Sequence, residues 1–269
     1  INKARFELAD GYYRAKAYDK VIQQLTSTDL DVLTAEQRHA ARFYWGYSLF
    51  GQKKLKEALP LFNAIKLSDG EYALAATYYA GFSEFSLEQN DAALSDLRRL
   101  EKEASYQDVV PVLIAHTLSR QGNTAELLKY AKSLEKKTTI QGLNDIRLLA
   151  AEAYYRQGRH SESLPGYTEF LKNVTAVESG TAGVYYRAGH AAYLTGKYPE
   201  AAQWLKQVAG AKDSLGRHAS YFLAVTYLRQ GQKQSALTAF QSAASGNGND
   251  ELTAECSYQA AKLMYDLMR

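Results

Sequence analysis

The chain of 269 residues is poor in the residues that bend or staple a backbone, with four prolines and a single cysteine, Cys256. A lone cysteine excludes an internal disulfide framework and a cysteine-built metal site, and leaves the redox compartment open. No run of about 18 apolar residues occurs, so no segment reads as a membrane span, and no charged-then-apolar leader opens the chain. Solubility is the expectation. The start at Ile1 without a methionine and the stop at Arg269 without a polar tail suggest a mature form or an excised piece. A surplus of one charge is also missing: the net charge is +3 and the charges are scattered, which argues against a nucleic-acid footprint. Neither a phosphate-cradling loop nor a nucleophile elbow nor a histidine-glutamate metal helix is present. The densest glycine cluster, Gly246 to Gly248, has no lysine and reads as a junction.

What is present is a long-range period. Small residues recur at Ala9, Gly46, Gly81, Ala115, Ala151, Gly189, Ala224 and Ala260, at intervals from 34 residues (Gly81 to Ala115) to 38 (Ala151 to Gly189). Twelve residues after the first seven come Val21, Ala58, Ala93, Leu127, Ser163, Ala201 and Ala236, which are mostly small. Four further on stand Leu25, Phe62, Leu97, Ala131, Tyr167, Leu205 and Phe240, large in all but one unit. This pattern suits antiparallel helix pairs: the small residues let two helices approach, and the large one fills the gap a turn later. Gly122, Gly158, Gly196 and Gly231 share one offset, where a left-handed residue ends the first helix. Helix starts are expected at Thr34 with Gln37, at Ser68 with Glu71 and at Asn123 with Glu126, as capping pairs. Pro60 and Pro165 are expected early in second helices, where a missing amide proton is tolerated.

These residues resemble the tetratricopeptide repeat family, in which a small residue, a tyrosine, a glycine, an aromatic, an alanine and a large hydrophobe recur at fixed offsets. The seventh unit carries Ala224, Tyr227, Gly231, Ala236, Phe240 and Ala243; the sixth carries Gly189, Gly196, Tyr198, Ala201 and Leu205. The third unit departs, with Glu84, Glu88 and Asn90 at the usual tyrosine, glycine and aromatic positions, and the usual proline between repeats is missing. The resemblance covers essentially the whole chain and implies an all-α, right-handed superhelical solenoid of about seven antiparallel helix pairs and a closing helix. The expected units are 1–34, 35–70, 71–105, 106–141, 142–180, 181–214 and 215–248, with the closing helix over 249–269, in one continuous array. Short junctions at Ser105 to Asp108, Lys136 to Asn144 and Ser245 to Asp250 mark no boundary between independent folds. Such an array has no single core, and its stability is nearly a nearest-neighbour sum.

The resemblance also implies that first helices line an inner face, through positions three before, one after and four after the small residue. These give Phe43, Tyr47 and Phe50, then Tyr78, Phe82 and Phe85, with Phe6 and Tyr13 in the first unit, Tyr186, His190 and Tyr193 in the sixth and Tyr221 in the seventh. Tyrosine, at 21 copies against 9 phenylalanines, offers large contact area with a polar tip, which suits a wet binding face. Aromatics at helical spacing equally serve packing, and one member of each doublet, Tyr78-Tyr79 and Phe43-Tyr44, is expected to face the core. Arg14, Arg120, Arg156 and Arg229 adjoin this face and could grip ligand carboxylates or simply lie as solvated rim charges. Family members that clamp a terminal carboxylate use lysine and asparagine where this chain has Phe6 and Asp10, or Phe43 and Tyr47, so an apolar groove for an extended or helical protein segment is the better expectation.

Neither catalysis, nor a cofactor, nor a metal is expected. His116 and His190 share a repeat position two units apart, too far for one metal when stacked helices lie roughly 10 Å apart. His190 and His218 come from adjacent units, but two ligands do not make a site. The expected function is a non-enzymatic protein-interaction scaffold. The style of the repeats resembles long bacterial cell-envelope proteins, which favours a periplasmic or outer-membrane-associated setting over the cytoplasm. Competing readings are a helical-repeat RNA-binding module and the docking array of an enzyme or regulator whose other domain is absent; the inward positions lack the recurrent small polar residues an RNA code needs.

Overall fold

The computed structural model describes residues 1–174, 179–245 and 250–268. Among them are fifteen α-helices and one 3-10 turn, Leu30–Val32, with no strand. First helices are α1 (Asn2–Arg14), α3 (Ala35–Gly51), α5 (Ala73–Ser86), α7 (Val110–Arg120), α9 (Leu143–Arg156), α11 (Ser179–Leu194) and α13 (Ser214–Arg229). Each is followed by its second helix: α2 (Tyr18–Thr26), α4 (Leu55–Asn63), α6 (Asn90–Leu100), α8 (Thr124–Leu134), α10 (His160–Leu171), α12 (Tyr198–Leu205) and α14 (Lys233–Ala244). The closing helix is α15 (Glu251–Leu267). The all-α fold of seven helix pairs plus a closing helix is the one the repeat period implies. The packing divides into two compact units, Ile1–Leu143 and Asn144–Arg269.

The register positions are buried in every pair. The seven small residues Ala9 through Ala224 that open the pairs are buried, as are the seven residues twelve positions on and the seven a further turn on, six of them large and the other Ala131. A methyl group added to Gly46 would meet the Phe62 ring at 2.9 Å, and one added to Gly81 would meet Leu97 Cγ at 3.1 Å. The small residue is therefore what sets the interhelical distance, and the large one closes it.

The turn between paired helices is one device used seven times. The residue seven after each small residue has positive φ: Lys16, Lys53 and Glu88 in the first three pairs, then Gly122, Gly158, Gly196 and Gly231. The next amide donates to the carbonyl five residues earlier in all seven, from Ala17 to Tyr12 (2.8 Å) through Gln232 to Tyr227 (2.8 Å). This reversed bond satisfies an otherwise orphaned carbonyl and ends the helix.

Three local expectations are corrected. Thr34 and Gln37 do form a capping box, but Ser68 caps nothing: α5 starts after Tyr72, and the Ser68 hydroxyl accepts from Gly70. Asn123 precedes α8, yet its amide donates to the Glu126 carboxylate (2.8 Å), leaving the backbone uncapped. Pro60 and Pro165 lie inside α4 and α10, each at the sixth residue, beyond the first turn where the missing proton costs nothing. Both prolines are exposed, so solvent can reach the backbone they disturb. Pro111 and Pro199 are the ones in first turns. The Gly246 to Gly248 cluster lies outside the described residues.

Candidate functional site

In the first unit, helical spacing on α1, α3 and α5 brings a connected sheet of aromatic rings to one face. Tyr13 meets Tyr47 edge-on at 5.7 Å between centroids, Tyr47 meets Tyr79 at 5.2 Å, Tyr79 meets Phe50 at 5.0 Å and Phe50 meets Phe82 at 5.5 Å. All five rings are half-buried. Edge-to-face contacts at these distances hold the rings in place while leaving part of each exposed. Phe43 is drawn into the core, only 6% exposed, where it stacks on Tyr72 at 4.8 Å and supports Tyr47 from beneath. Phe6 is buried as well. Tyr78 stacks on Tyr106 at 5.3 Å, extending the sheet toward the chain before α7.

The doublets do not divide cleanly between face and core. Phe43 and Tyr44 are both buried, whereas Tyr78 and Tyr79 are both half-buried. Tyr44 reaches an acceptor by donating to Asp10 at 3.0 Å and stacks on Tyr13 at 4.2 Å. Asp10, at the position where carboxylate clamps carry asparagine, is thus engaged with Tyr44 and with Arg14 at 2.8 Å. Burial, followed by neighbouring tyrosines, raises the Tyr13 phenol to about 12, and burial pushes Tyr79 up too. These phenols stay neutral at physiological pH, so the face offers hydroxyl tips without charge.

Arg120 is exposed but already occupied: its guanidinium lies 3.8 Å from the Phe85 ring centroid, and Nη1 donates to the Phe85 carbonyl at 2.7 Å. It braces Phe85 from the next first helix. Arg156 and Arg229 are exposed at the ends of α9 and α13.

The second unit carries its own cluster, on α9, α10, α11 and α13. The Tyr155 hydroxyl lies 2.7 Å from His190 Nδ1; Tyr186 lies parallel to the same imidazole at 5.9 Å, and Phe222 abuts it at 4.4 Å. Tyr193 meets Phe222 at 5.7 Å, and Tyr221 meets it at 5.3 Å. His160 stands 6.0 Å from His190, ring to ring, with its Nδ1 buried and lacking a hydrogen-bond partner among the described residues. Burial, then the neighbouring His160, lowers the His190 pKa. Among the described residues no three histidine, cysteine, aspartate or glutamate side chains converge for a metal. No helix there is long and apolar enough to cross a membrane.

The repeat rule applied to the fifth unit yields Tyr155, four residues past Ala151, a signal the sequence carries. Tyr79 and Phe222 lie one position off that rule, two before the small residue, and their share in the face shows only in the fold. His160 sits on a second helix, which the rule ignores.

Comparisons with known proteins agree with this architecture. Residues 148–215 match the family model described as tetratricopeptide repeat. A crystal structure of the C-terminal part of a repeat-containing protein of that kind from Cytophaga hutchinsonii superposes with a TM-score of 0.62 at 13% identity, covering 93% of this chain and 98% of that one. A tetratricopeptide repeat protein from Parabacteroides merdae matches with a TM-score of 0.52 at 15% identity, covering 97% and 98%. No curated protein sequence matches. Residues 148–215 are thus tetratricopeptide repeats by sequence, and the described chain has the tetratricopeptide-repeat fold.

Proposed function

We propose that this chain is a non-enzymatic scaffold whose first-helix faces receive an extended or helical segment of another protein. The fold generally serves protein–protein interaction. The observation that carries the reading is the run of half-buried rings Tyr13, Tyr47, Tyr79, Phe50 and Phe82, held at 5.0–5.7 Å from one to the next. Contiguous aromatic area of this kind marks an interaction surface on a protein that has no other use for it, and rigid rings give up little entropy on binding. The neutral phenols add hydrogen-bonding tips suited to backbone groups of a bound segment. Tyr186, His190 and Tyr193 provide a second aromatic face in the other unit.

The segment recognised is apolar. Asp10 is engaged by Tyr44 and Arg14, and Arg120 by Phe85, so neither the clamp position nor this arginine waits for a terminal carboxylate. We place the scaffold in a larger envelope-associated assembly on the style of its tyrosine-rich repeats, which cell fractionation checks directly. The deciding experiment is affinity capture from the native organism with the wild type and a Tyr47→Ala, Phe82→Ala double variant, with helicity matched by circular dichroism. Loss of a specific captured protein supports the face; equal capture by both refutes it.

A further inference from the structure

A cavity of about 390 Å³ opens in the second unit between α12 and α14, with α13 as its floor. That volume lies within the roughly 300–1,000 Å³ of small-ligand sites. Lys206, at the C-terminal end of α12, stands on one side, and Ser235 and Thr238 of α14 on the other. Leu223 and Tyr227 of α13, both buried, lie below them.

Tyr227 is the residue that the fold leaves unfinished. It is only 8% exposed, yet its hydroxyl makes no hydrogen bond among the described residues, where a buried phenol ordinarily finds one. The Lys206 ammonium lies 5.6 Å from the centre of the Tyr227 ring and forms no ion pair among the described residues. The exposed Ser235 hydroxyl is likewise uncommitted. Three donors thus line one cavity without an acceptor. Thr238 is the converse: its hydroxyl donates to the Gln234 carbonyl at 3.3 Å, so its oxygen is left only to accept.

The wall after α12 is fixed in advance. Gly210, at φ of +89°, turns the chain there, and its amide donates to Ser220 Oγ at 3.0 Å. That hydroxyl donates in turn to the Gly216 carbonyl at 2.9 Å, and Ser220 is buried, so residues 206–210 are tied to α13 from inside. From Tyr198 to Ala244 the chain carries five lysines and arginines against two carboxylates, Glu200 and Asp213. Neither carboxylate lines the cavity, and Asp213 is engaged in capping α13, where it accepts from the Gly216 amide at 2.7 Å. Arg217 is paired with Asp250, which leaves the surplus positive.

We propose that this cavity binds a small hydroxylated anion of monosaccharide size. Lys206, Tyr227 and Ser235 donate to its phosphate or carboxylate oxygens, and Thr238 accepts from one of its hydroxyls. The site is separate from the aromatic faces and stands or falls independently of them.

The test is titration of the 269-residue chain with glucose 6-phosphate, glucuronate and glucose, one ring bearing phosphate, carboxylate or no charge, with the Gly210 and Ser220 amides followed by NMR. Saturable shifts are expected with at least one of the acids, at a dissociation constant on the order of 0.1–1 mM, and glucose binds at least about tenfold more weakly. The tighter acid identifies the head group. Lys206→Met, at an exposed site, weakens binding about tenfold or more. Tyr227→Phe removes a hydroxyl that holds no other group, and weakens binding about tenfold with thermal stability unchanged. Lys129→Met, at an exposed position on α8, has no effect. No saturable shift with either acid, glucose bound as tightly as the acids, an affinity indifferent to Tyr227→Phe, or equal losses from Lys129→Met and Lys206→Met each overturns the proposal.

Discussion

Leu205 sits so close to Gly189 that a β-carbon on the glycine would fall 2.5 Å from Leu205 Cγ and 3.2 Å from its backbone nitrogen. The leucine tip can turn aside, but the backbone of α12 cannot, so the helix pair has to separate to admit one methyl group. Gly189→Ala is therefore expected to destabilise the second unit by about 1–3 kcal/mol. At Gly81 the contact is with Leu97 side-chain atoms at 3.1 and 3.2 Å, and Gly81→Ala costs less, about 1 kcal/mol or under. Urea unfolding of the two variants ranks them; equal loss refutes the assignment of the spacing to the glycine.

The seven turns allow a second comparison. A non-glycine residue with positive φ costs roughly 1–2 kcal/mol, which the reversed helix-end hydrogen bond offsets. Gly231→Ala, with φ of +74° and open space around its Cα, is expected to lose about 1 kcal/mol through backbone strain alone. Glu88→Gly, at φ of +61°, is expected to gain about 0.5–1 kcal/mol. Thermal unfolding by circular dichroism reads both, and a gain from Gly231→Ala contradicts the account.

The same turns show what the sequence made legible. Gly122, Gly158, Gly196 and Gly231 announce a left-handed residue because glycine takes it freely. Lys16, Lys53 and Glu88 hide it, since their conformation is imposed by the backbone bond five residues back. The small-to-large register was readable because it depends on side-chain volume alone. The candidate face was readable only in part: Tyr47 and Phe43 occupy neighbouring rule positions on one helix, yet Phe43 is covered by Tyr72, which comes from the chain before α5. Glu84 looked like a lapse from the tyrosine pattern until the fold brought Lys66 and Asp96 to it.

That Glu84 is buried beside a lysine shared with a second carboxylate. Lys66 Nζ lies 2.6 Å from Asp96 Oδ2 and 3.4 Å from Glu84 Oε1, and Glu84 Oε2 is buried with no hydrogen-bond partner among the described residues. Burial first, and the Asp96 charge second, raise the Glu84 carboxyl from 4.5 to about 7 against the pull of Lys66. Between those values the folded protein keeps a proton the unfolded chain has lost, so the first unit is most stable below about pH 4.5, as far as this group is concerned, and loses that contribution as pH rises through 7. Glu84→Gln should flatten the dependence and stabilise α5 at pH 8 by on the order of 2 kcal/mol. Hydrogen exchange of α5 amides at pH 5.5 and 8 measures it after correction for intrinsic rates; a Glu84→Gln variant with the wild-type pH slope counts against the raised Glu84 carboxyl.

The second unit carries the opposite dependence. His190 is held neutral by burial, and then by His160 six ångströms away, so its pKa lies below the usual 6.5. The unfolded chain takes up a proton near pH 6.5 that the folded unit accepts only at lower pH, so this contribution is present above 6.5 and is lost as pH falls through the folded value. The Tyr155 hydroxyl at 2.7 Å fixes which imidazole nitrogen faces it, and Phe222 at 4.4 Å closes one side of the ring to water. Replacing His160 by glutamine removes the second cause and leaves the first, so the His190 pKa should rise without reaching 6.5. An NMR titration of the imidazole resonances follows each step. A wild-type inflection at or above 6.5, or a value indifferent to His160→Gln, would mean that the two rings do not sense each other and that the cluster is packing alone.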